Sequence, residues 1–400
     1  MKKVRKRSPK KLWQKILIGL GVVVGFLLIV VLIFFGWMTA VEYRPEDVEK
    51  VEINTVTGQG QKLIQGSSLK VMTWNIGYGA LGDDADFFMD GGESVMTTIP
   101  ERVDVNLAGV AGNISSNDPD IVFLQEVDLN SKRSYFNDEL LYLKGEIYKN
   151  STIDWETGID YALFADEDGN LREPDEYAST FAYNYKAELV PYPFPENLGK
   201  VESGISTISK YQISDAERIS LPCPFKWPIR TANLKRCLLV NRLPIYDEAG
   251  NETDKELVLV NLHLEAYDDG EGKIAQTQQL KTLLQEEYDK GNYVIAGGDF
   301  NQTFSNVDTS MYPDIEGTWK CGQIDVKDFS DNWQLLMDNS SPTCRSLDQP
   351  YQGADKDNFQ YYMIDGFIVS DNIKVDSLQT LNYVFMASDH NPVLMNVTLE

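Results

Sequence analysis

The sequence predicts an α/β protein of packed sheets with helices outside, preceded by one transmembrane helix. Three observations carry that expectation. Residues 16–40 contain no charged side chain. Short apolar runs rich in β-branched and aromatic residues recur from residue 69 to the C-terminus, as strands do. A few longer segments of helical periodicity lie among them without strict βαβ alternation, which favours stacked sheets over a barrel of repeated units.

The apolar run comes first in the chain. It reads ILIGLGVVVGFLLIVVLIFFGWMTA, and about 20 such residues cross a hydrocarbon core. Trp13, Trp37 and Tyr43 flank it, where amphipathic rings favour a membrane interface. Residues 1–15 hold eight basic groups and no acid. The positive-inside rule therefore places them in the cytoplasm and the rest of the chain outside. A cleavable signal peptide is the rival reading, but its apolar region is normally about 7–15 residues and its cleavage site small-x-small. Met38-Thr39-Ala40 fits that poorly. A buried core helix is the other alternative, and it would not need a basic cluster beside it. The expected organisation is a basic tail (1–15), a signal anchor (16–40), a juxtamembrane stalk (41–68) and a folded domain (69–400), single-pass in the cell membrane.

Charge and cysteines constrain the domain further. The chain carries −25 overall; without the basic tail, 28 basic face 61 acidic groups, a net of −33. That acidity opposes unaided binding to polyanionic nucleic acid. The four cysteines, Cys223, Cys237, Cys321 and Cys344, all follow the anchor, where disulfides can persist. Pairing of neighbours in sequence, 223–237 and 321–344, is preferred; free thiols are the alternative. No Cys/His spacing points to zinc.

The element order follows from local pattern. Segment 42–68 is polar with Gly58, Gly60 and Gly66, as in a stalk. LKVMTWNI (69–76) reads as a strand, and 99–116 as a helix that stops before Asn117-Asp118-Pro119. DIVFLQE (120–126) is a strand and 133–149 a helix. GISTIS (204–209), CLLVNRLPI (237–245) and ELVLVNLHL (256–264) are strands. A helix over 274–290 and strands at 293–300, 361–370 and 391–399 complete the set. Segments 79–93 and 154–176 read as surface loops.

The apolar strands share one feature: they end in Asn, Glu, Asp or His. Asn75, Glu126, His263, Asp299 with Asn301, Asp365, and Asp389 with His390 all sit there. Strand ends and their loops commonly build sites on α/β frameworks. The chain has only two histidines, and both lie at such ends. Asp299 follows a run of apolar and small residues, where an unpaired charge would be costly. Carboxylate and amide oxygens suit Mg²⁺ or Mn²⁺.

VMTWNI, DIVFLQE, VNLHLE, GGDFN, MIDGF and SDHNPV, in this order, closely resemble the endonuclease/exonuclease/phosphatase superfamily, over residues 69–400. That superfamily includes deoxyribonuclease I, abasic-site endonucleases, inositol-polyphosphate 5-phosphatases and neutral sphingomyelinases. The resemblance implies a four-layer sandwich of two mixed β-sheets flanked by helices. It implies hydrolysis of a phosphoester, expected to be a phosphodiester, by Mg²⁺- or Mn²⁺-assisted attack of water on phosphorus. Asn75 and Glu126 resemble the metal-binding pair, with Asp389 a further metal or water contact. Asp299 resembles the aspartate that orients or deprotonates the water, and Asn301 the amide that steadies phosphoryl oxygens. His390 resembles the phosphate-contacting histidine, and Asp365 its carboxylate partner. His263 matches a position that is a general acid in some members.

Substrate contacts are read from basic groups. Segment 224–242 has five and no acid, including Arg230 and Arg236, with Phe225 and Trp227 interleaved. Lys132 and Arg133 follow Glu126. These four are candidates for holding phosphate; a solvated loop or structural ion pairs are the alternative. Lipid, small-molecule and nucleic-acid phosphoesters all remain open as substrate. An extracellular nuclease and a catalytically inactive surface binding protein stay as rivals, although the intact polar set argues against the latter. No obligate protein partner is indicated.

Overall fold

The computed structural model describes residues 11–55, 60–147, 152–154, 159–161, 177–268 and 270–400. Helix α1 (Leu12–Ala40) is long and apolar enough to cross a membrane, and its apolar window is not buried against protein. An apolar helix satisfies its own backbone hydrogen bonds, as a membrane interior demands. Its C-terminal turn docks on the domain. The Phe35 and Trp227 rings lie 5.7 Å apart, Trp227 Nε1–H donates to Thr39 Oγ1 at 3.1 Å, and Met38 is buried. Just past the helix, Glu42 pairs with Arg44, Arg230 and Lys235.

Two mixed sheets form the domain, with strands numbered along the chain. One has seven strands, ordered β2 (Asn54–Thr55), β6 (Ala178–Val190), β7 (Gly199–Ser209), β5 (Ile121–Asp128), β4 (Ser68–Asn75), β15 (Val393–Leu399) and β14 (Ile373–Thr380). The other follows β1 (Val48–Lys50), β8 (Asp215–Ser220), β9 (Cys237–Tyr246), β10 (Glu252–His263), β11 (Tyr293–Asp299), β13 (Asp365–Ser370) and β12 (Trp333–Leu336). Strand β3 (Leu63–Ile64) lies parallel to β9 beside that path. Each sheet has one central parallel pair, β4 with β5 and β10 with β11.

Side-chain alternation sorts the core into layers. On β4, Leu69 and Val71 face inward with Phe123, Leu257 and Ile295 from both sheets. Met72 and Trp74 face outward and pack on Val103, Leu107 and Val110 of α2 (Pro100–Asn117) and on Leu143 of α3 (Glu139–Ile147). On the other sheet, Val258, Val294 and Ala296 turn outward against Leu280 and Leu284 of α4 (Glu271–Asp289). The order helix, sheet, sheet, helix is the four-layer sandwich expected from the sequence. A buried amide network crosses its middle. Gln125 Nε2 donates to Asn261 Oδ1 at 2.8 Å, and Asn261 Nδ2 donates to the carbonyls of Leu124 and Ser206.

Several boundaries differ from the sequence expectation. Residues 41–68, expected as a stalk, contribute β1, β2 and β3 to the sheets, so the folded domain starts close to the helix. The expected helix at 133–149 spans only Glu139–Ile147: Lys132–Ser134 form a single 3₁₀ turn, and Tyr135 and Phe136 have φ of 57° and 63°, which stops helix extension. Residues 148–149 lie outside the described set. The strand expected at 361–370 splits, with Tyr361–Tyr362 in a two-stranded ladder with Cys344–Arg345 and Asp365–Ser370 in the main sheet. Segment 79–93 is a loop, but a buried one through Leu81, Ala85 and Phe87. Segment 154–176 lies largely outside the described residues. All four cysteines are free, so neither preferred disulfide is formed. Cys223 and Cys237 turn their sulfurs to different backbone carbonyls, of Leu234 and Tyr183.

Candidate active site

The two parallel pairs end side by side, and their C-terminal ends supply the site. Asn75 closes β4 in register with Gln125 of β5, and Glu126 follows. A register shift between Leu124 and Val127 leaves Glu126 off the ladder, at φ 55°. A bulge of this kind re-aims one side chain. In the other sheet His263 and Asp299 are register partners, and Asp299 is in turn paired with Asp365. Gly298 makes that possible: its φ is +147°, and a Cβ there would stand 2.0 Å from the Leu262 carbonyl oxygen. Asp389 and His390 arrive from the loop before β15. Ser388 pins that loop by donating to the Asn75 carbonyl at 2.8 Å and accepting from the His390 N–H at 3.1 Å.

The side chains meet in one buried cluster. Asn75 Nδ2 donates to Asp299 Oδ2 at 3.1 Å and Glu126 Oε1 at 3.3 Å. Asp299 Oδ1 accepts from the Asn301 N–H at 2.8 Å, while the Asn301 amide donates to the Leu264 carbonyl at 2.9 Å. His263 Nε2 is 3.4 Å from Asp299 Oδ2 and 4.0 Å from Glu126 Oε1. His390 Nδ1 is 2.8 Å from Asp365 Oδ2, and its Nε2 is 3.9 Å from both Asp299 and Asp389.

The environment drives the two histidines apart. Burial lowers the pKa of His263, and the nearby charges of Arg236, His390 and Arg133 lower it further, so that ring is neutral at pH 7. Burial acts the same way on His390, but hydrogen-bonded Asp365, with Asp389 beside it, outweighs it and raises the pKa well above the usual value. His390 is therefore an imidazolium. Burial and the neighbouring Asp365 push Asp299 up to about 7. Burial likewise lifts Asp389 to about 6, with Glu126 adding to it. Crowded carboxylates of this kind repel one another, and a bound cation would relieve them.

The donor set fits a hard divalent cation. Glu126, Asp299, Asp365 and Asp389 offer oxygens, Asn75 turns its Nδ2 to the first two and its Oδ1 to the Gly77 N–H, and Asp365 Oδ1 is buried without a hydrogen-bond partner. Asp299, Asp365 and His390 place ligand atoms within 4.8 Å of one another, as do Cys344, Asp389 and His390, but protonated His390 has no free lone pair, which leaves the carboxylate oxygens as the ligands. Burial holds the Cys344 thiol up at about 12, so it stays protonated, and oxygen donors dominate.

The four candidate phosphate contacts divide. Arg133 and Arg236 line the same cavity as Glu126, Asp299 and His390. Both carry partners: Arg133 makes a two-pronged contact with Asp128 and lies 3.7 Å over the Tyr78 ring. Arg236 pairs with Glu265 at 3.5 Å and donates to the His263 carbonyl. Lys132 donates to the Asn197 carbonyl, and Arg230 is engaged by Glu42. Sequence reasoning missed Asp90 and Tyr267, which line the cavity and bond to each other at 3.1 Å. Burial and the charges of Asp389 and Glu126 push Asp90 up to about 7. Neither residue ends an apolar strand, so the strand-end signal passes over them.

The fold and site are those of an α/β sandwich whose parallel strand ends gather carboxylates, amides and a carboxylate-backed imidazole. The model of the Endonuclease/Exonuclease/phosphatase family matches residues 72–390, and the chain belongs to that family. Its members hydrolyse phosphoester bonds and generally use divalent metals. Among solved structures, the chain is similar to an endonuclease/exonuclease/phosphatase from Beutenbergia cavernae (18% identity, TM-score 0.49, covering 83% of this chain and 72% of that one). It is also similar to the human Nocturnin catalytic domain with bound sulfate (18%, 0.46, 88% and 98%). A third similar structure is TDP2 from Caenorhabditis elegans (14%, 0.43, 84% and 75%). No match is found among curated proteins.

Proposed function

We propose that this chain is a membrane-anchored phosphoester hydrolase dependent on Mg²⁺ or Mn²⁺, with its catalytic domain outside the cytoplasm. The observation that carries the chemistry is the convergence of Asn75, Glu126, His263, Asp299 and His390 at the ends of both parallel pairs. Glu126, Asn75 and Asp389 would hold the metal, which when bound would supply charge neutralisation at the phosphoryl group and Lewis-acid polarisation. Asp299, poised near neutrality by burial, takes the proton of the attacking water. Asn301 steadies the phosphoryl oxygens. The His390 imidazolium faces the phosphate, and Asp365 behind it fixes tautomer and orientation. His263 presents a neutral ring beside Asp299. The orientation rests on the eight basic groups of residues 1–15 and the absence of acids among them.

The test uses the full-length protein in vesicles, with a generic chromogenic phosphodiester and Mg²⁺ or Mn²⁺. EDTA and Asp299→Ala should each lower turnover at least ~10²-fold, the scale of lost acid–base help. Turnover surviving both would refute the mechanism. Protease added to intact cells should digest the domain; complete protection would refute the topology.

A further inference from the structure

We infer that the phosphoester is carried by a lipid whose apolar tail lies between the catalytic cluster and the anchor helix; this rests on the hydrolase reading above. A single cavity of about 470 Å³ holds Glu126, Asp299 and His390 at one side, and Phe34, Phe35 and Met38 of α1 form part of its wall. Leu81, Phe87, Val190 and Leu198, all buried and apolar, line it as well. A polar headgroup site and a membrane helix thus share one greasy chamber. A cavity built only for water-soluble phosphates has no use for that wall.

The rim points the same way. Met89, Tyr192 and Ile229 line the cavity from three separate loops, yet are 45%, 62% and 63% exposed. Phe194, beside Tyr192 in sequence, is 91% exposed. Large apolar side chains gathered at one edge mark a binding or membrane-contacting surface. The edge is fixed relative to the bilayer, because Trp227 of the third loop packs on Phe35 and bonds Thr39. Those residues sit in the last turns of α1, where the helix would leave the hydrocarbon core. A lipid tail can pass along the helix into the chamber without crossing water.

Charge disfavours nucleic acid as the occupant. The arginines that line the cavity are engaged within the protein: Arg133 pairs with Asp128, Arg236 with Glu265, and Arg345 donates to the carbonyls of Ser346, Gly82 and Ala85; nearby Arg230 and Lys235 pair with Glu42. A polyanion needs several free basic contacts; a single lipid phosphate needs the catalytic cluster alone. In the reaction, the water oxygen bonds to phosphorus and one P–O ester bond breaks. The proton given up by water ends on the departing alkoxide, so an alcohol and a phosphomonoester leave.

The experiment compares p-nitrophenyl alkyl phosphates from methyl to dodecyl, with the full-length protein in vesicles of a phosphate-free galactolipid plus Mg²⁺ or Mn²⁺. For the wild type, kcat/KM should rise with chain length, up to ~4-fold per methylene until the chamber is filled. Met89→Glu and Ile229→Glu, both at exposed positions, should flatten the rise when each variant is normalised to its own methyl ester. Partition into the vesicle is common to all proteins, so the difference in slope reads the chamber. A flat wild-type series, or variants as steep as wild type, overturns the inference while leaving the hydrolase reading intact. Cleavage of plasmid DNA with a flat alkyl series overturns it in favour of a nuclease. No turnover of any phosphoester overturns both readings.

Discussion

Replacing Asp365 by Asn tests the electrostatic design of the site at a single bond. The substitution is nearly isosteric and leaves β13 untouched. It removes a negative charge 2.8 Å from His390 Nδ1, with both groups buried. A hydrogen bond between buried charged groups contributes about 1.5–3 kcal/mol. At about 1.4 kcal/mol per unit, that lowers the His390 pKa by roughly 1–2 units. The sign is fixed: Asp365 raises the pKa of His390 in the native state, so its loss makes the imidazolium give up its proton at lower pH. The chain has only two histidines, so an NMR titration of the histidine Hε1 protons resolves both without ambiguity. The kinetic cost should be about 10²–10⁴-fold in kcat, with smaller change in KM. An unchanged His390 titration in the variant, or kcat at the wild-type level, would refute this account of the pair.

Three further outcomes follow from the packing. Asn261→Ala strips the amide that joins the sheets, frees the buried Leu124 and Ser206 carbonyls of its bonds and leaves Gln125 with Thr73 alone; urea denaturation should register a loss of roughly 3 kcal/mol, and a loss below 1 would show the network to be dispensable. Gly298→Ala meets the Leu262 carbonyl at a backbone φ of +147°, so it should cost at least about 3 kcal/mol and, by shifting β11 against β10, misalign Asp299 with His263 and lower activity. Burial alone would raise the pKa of Glu287, but hydrogen-bonded Arg242 and Lys290 pull it from 4.5 down to about 2. Its contribution is therefore full above pH 4.5 and lost as pH falls toward 2. At about 1.4 kcal/mol per unit, discounted for the partly exposed Arg242, this amounts to roughly 2 kcal/mol. Glu287→Gln should remove that part of the acid dependence of the urea midpoint.

The strand-end residues were legible because they combine two local signals. A buried apolar run announces a central strand, and a polar group at its end has few reasons to be there other than function. β4, β5, β10 and β11 are all of this kind, and they bring Asn75, Glu126, His263 and Asp299 together. The elements that escaped notice lie nearer the sheet edges. β14 reads IKVDSLQT and exposes much of its length, and β6 carries Asn184 and Lys186 within a 13-residue strand. Such strands are specified by the neighbour they pair with, which sequence pattern does not report. The bulge at Glu126 and the split before Asp365 are invisible for the same reason.

The basic segment 224–242 shows the other limit. Read alone it has no acid, and an unpaired cationic island invites an anionic ligand. In the fold four of its five charges meet acids far away in sequence: Arg230 and Lys235 meet Glu42, Arg236 meets Glu265, and Arg242 meets Glu287. Local charge patterning cannot find partners separated by up to two hundred residues, so it overstated how much cation was free for substrate. The partners matter more than the count. Glu42 is two residues past α1, and the contact of Arg230 and Lys235 with it, together with Trp227 on Phe35, fixes the helix against the rim of the cavity. Charges that looked like a grip on phosphate instead hold α1 against the edge of the cavity.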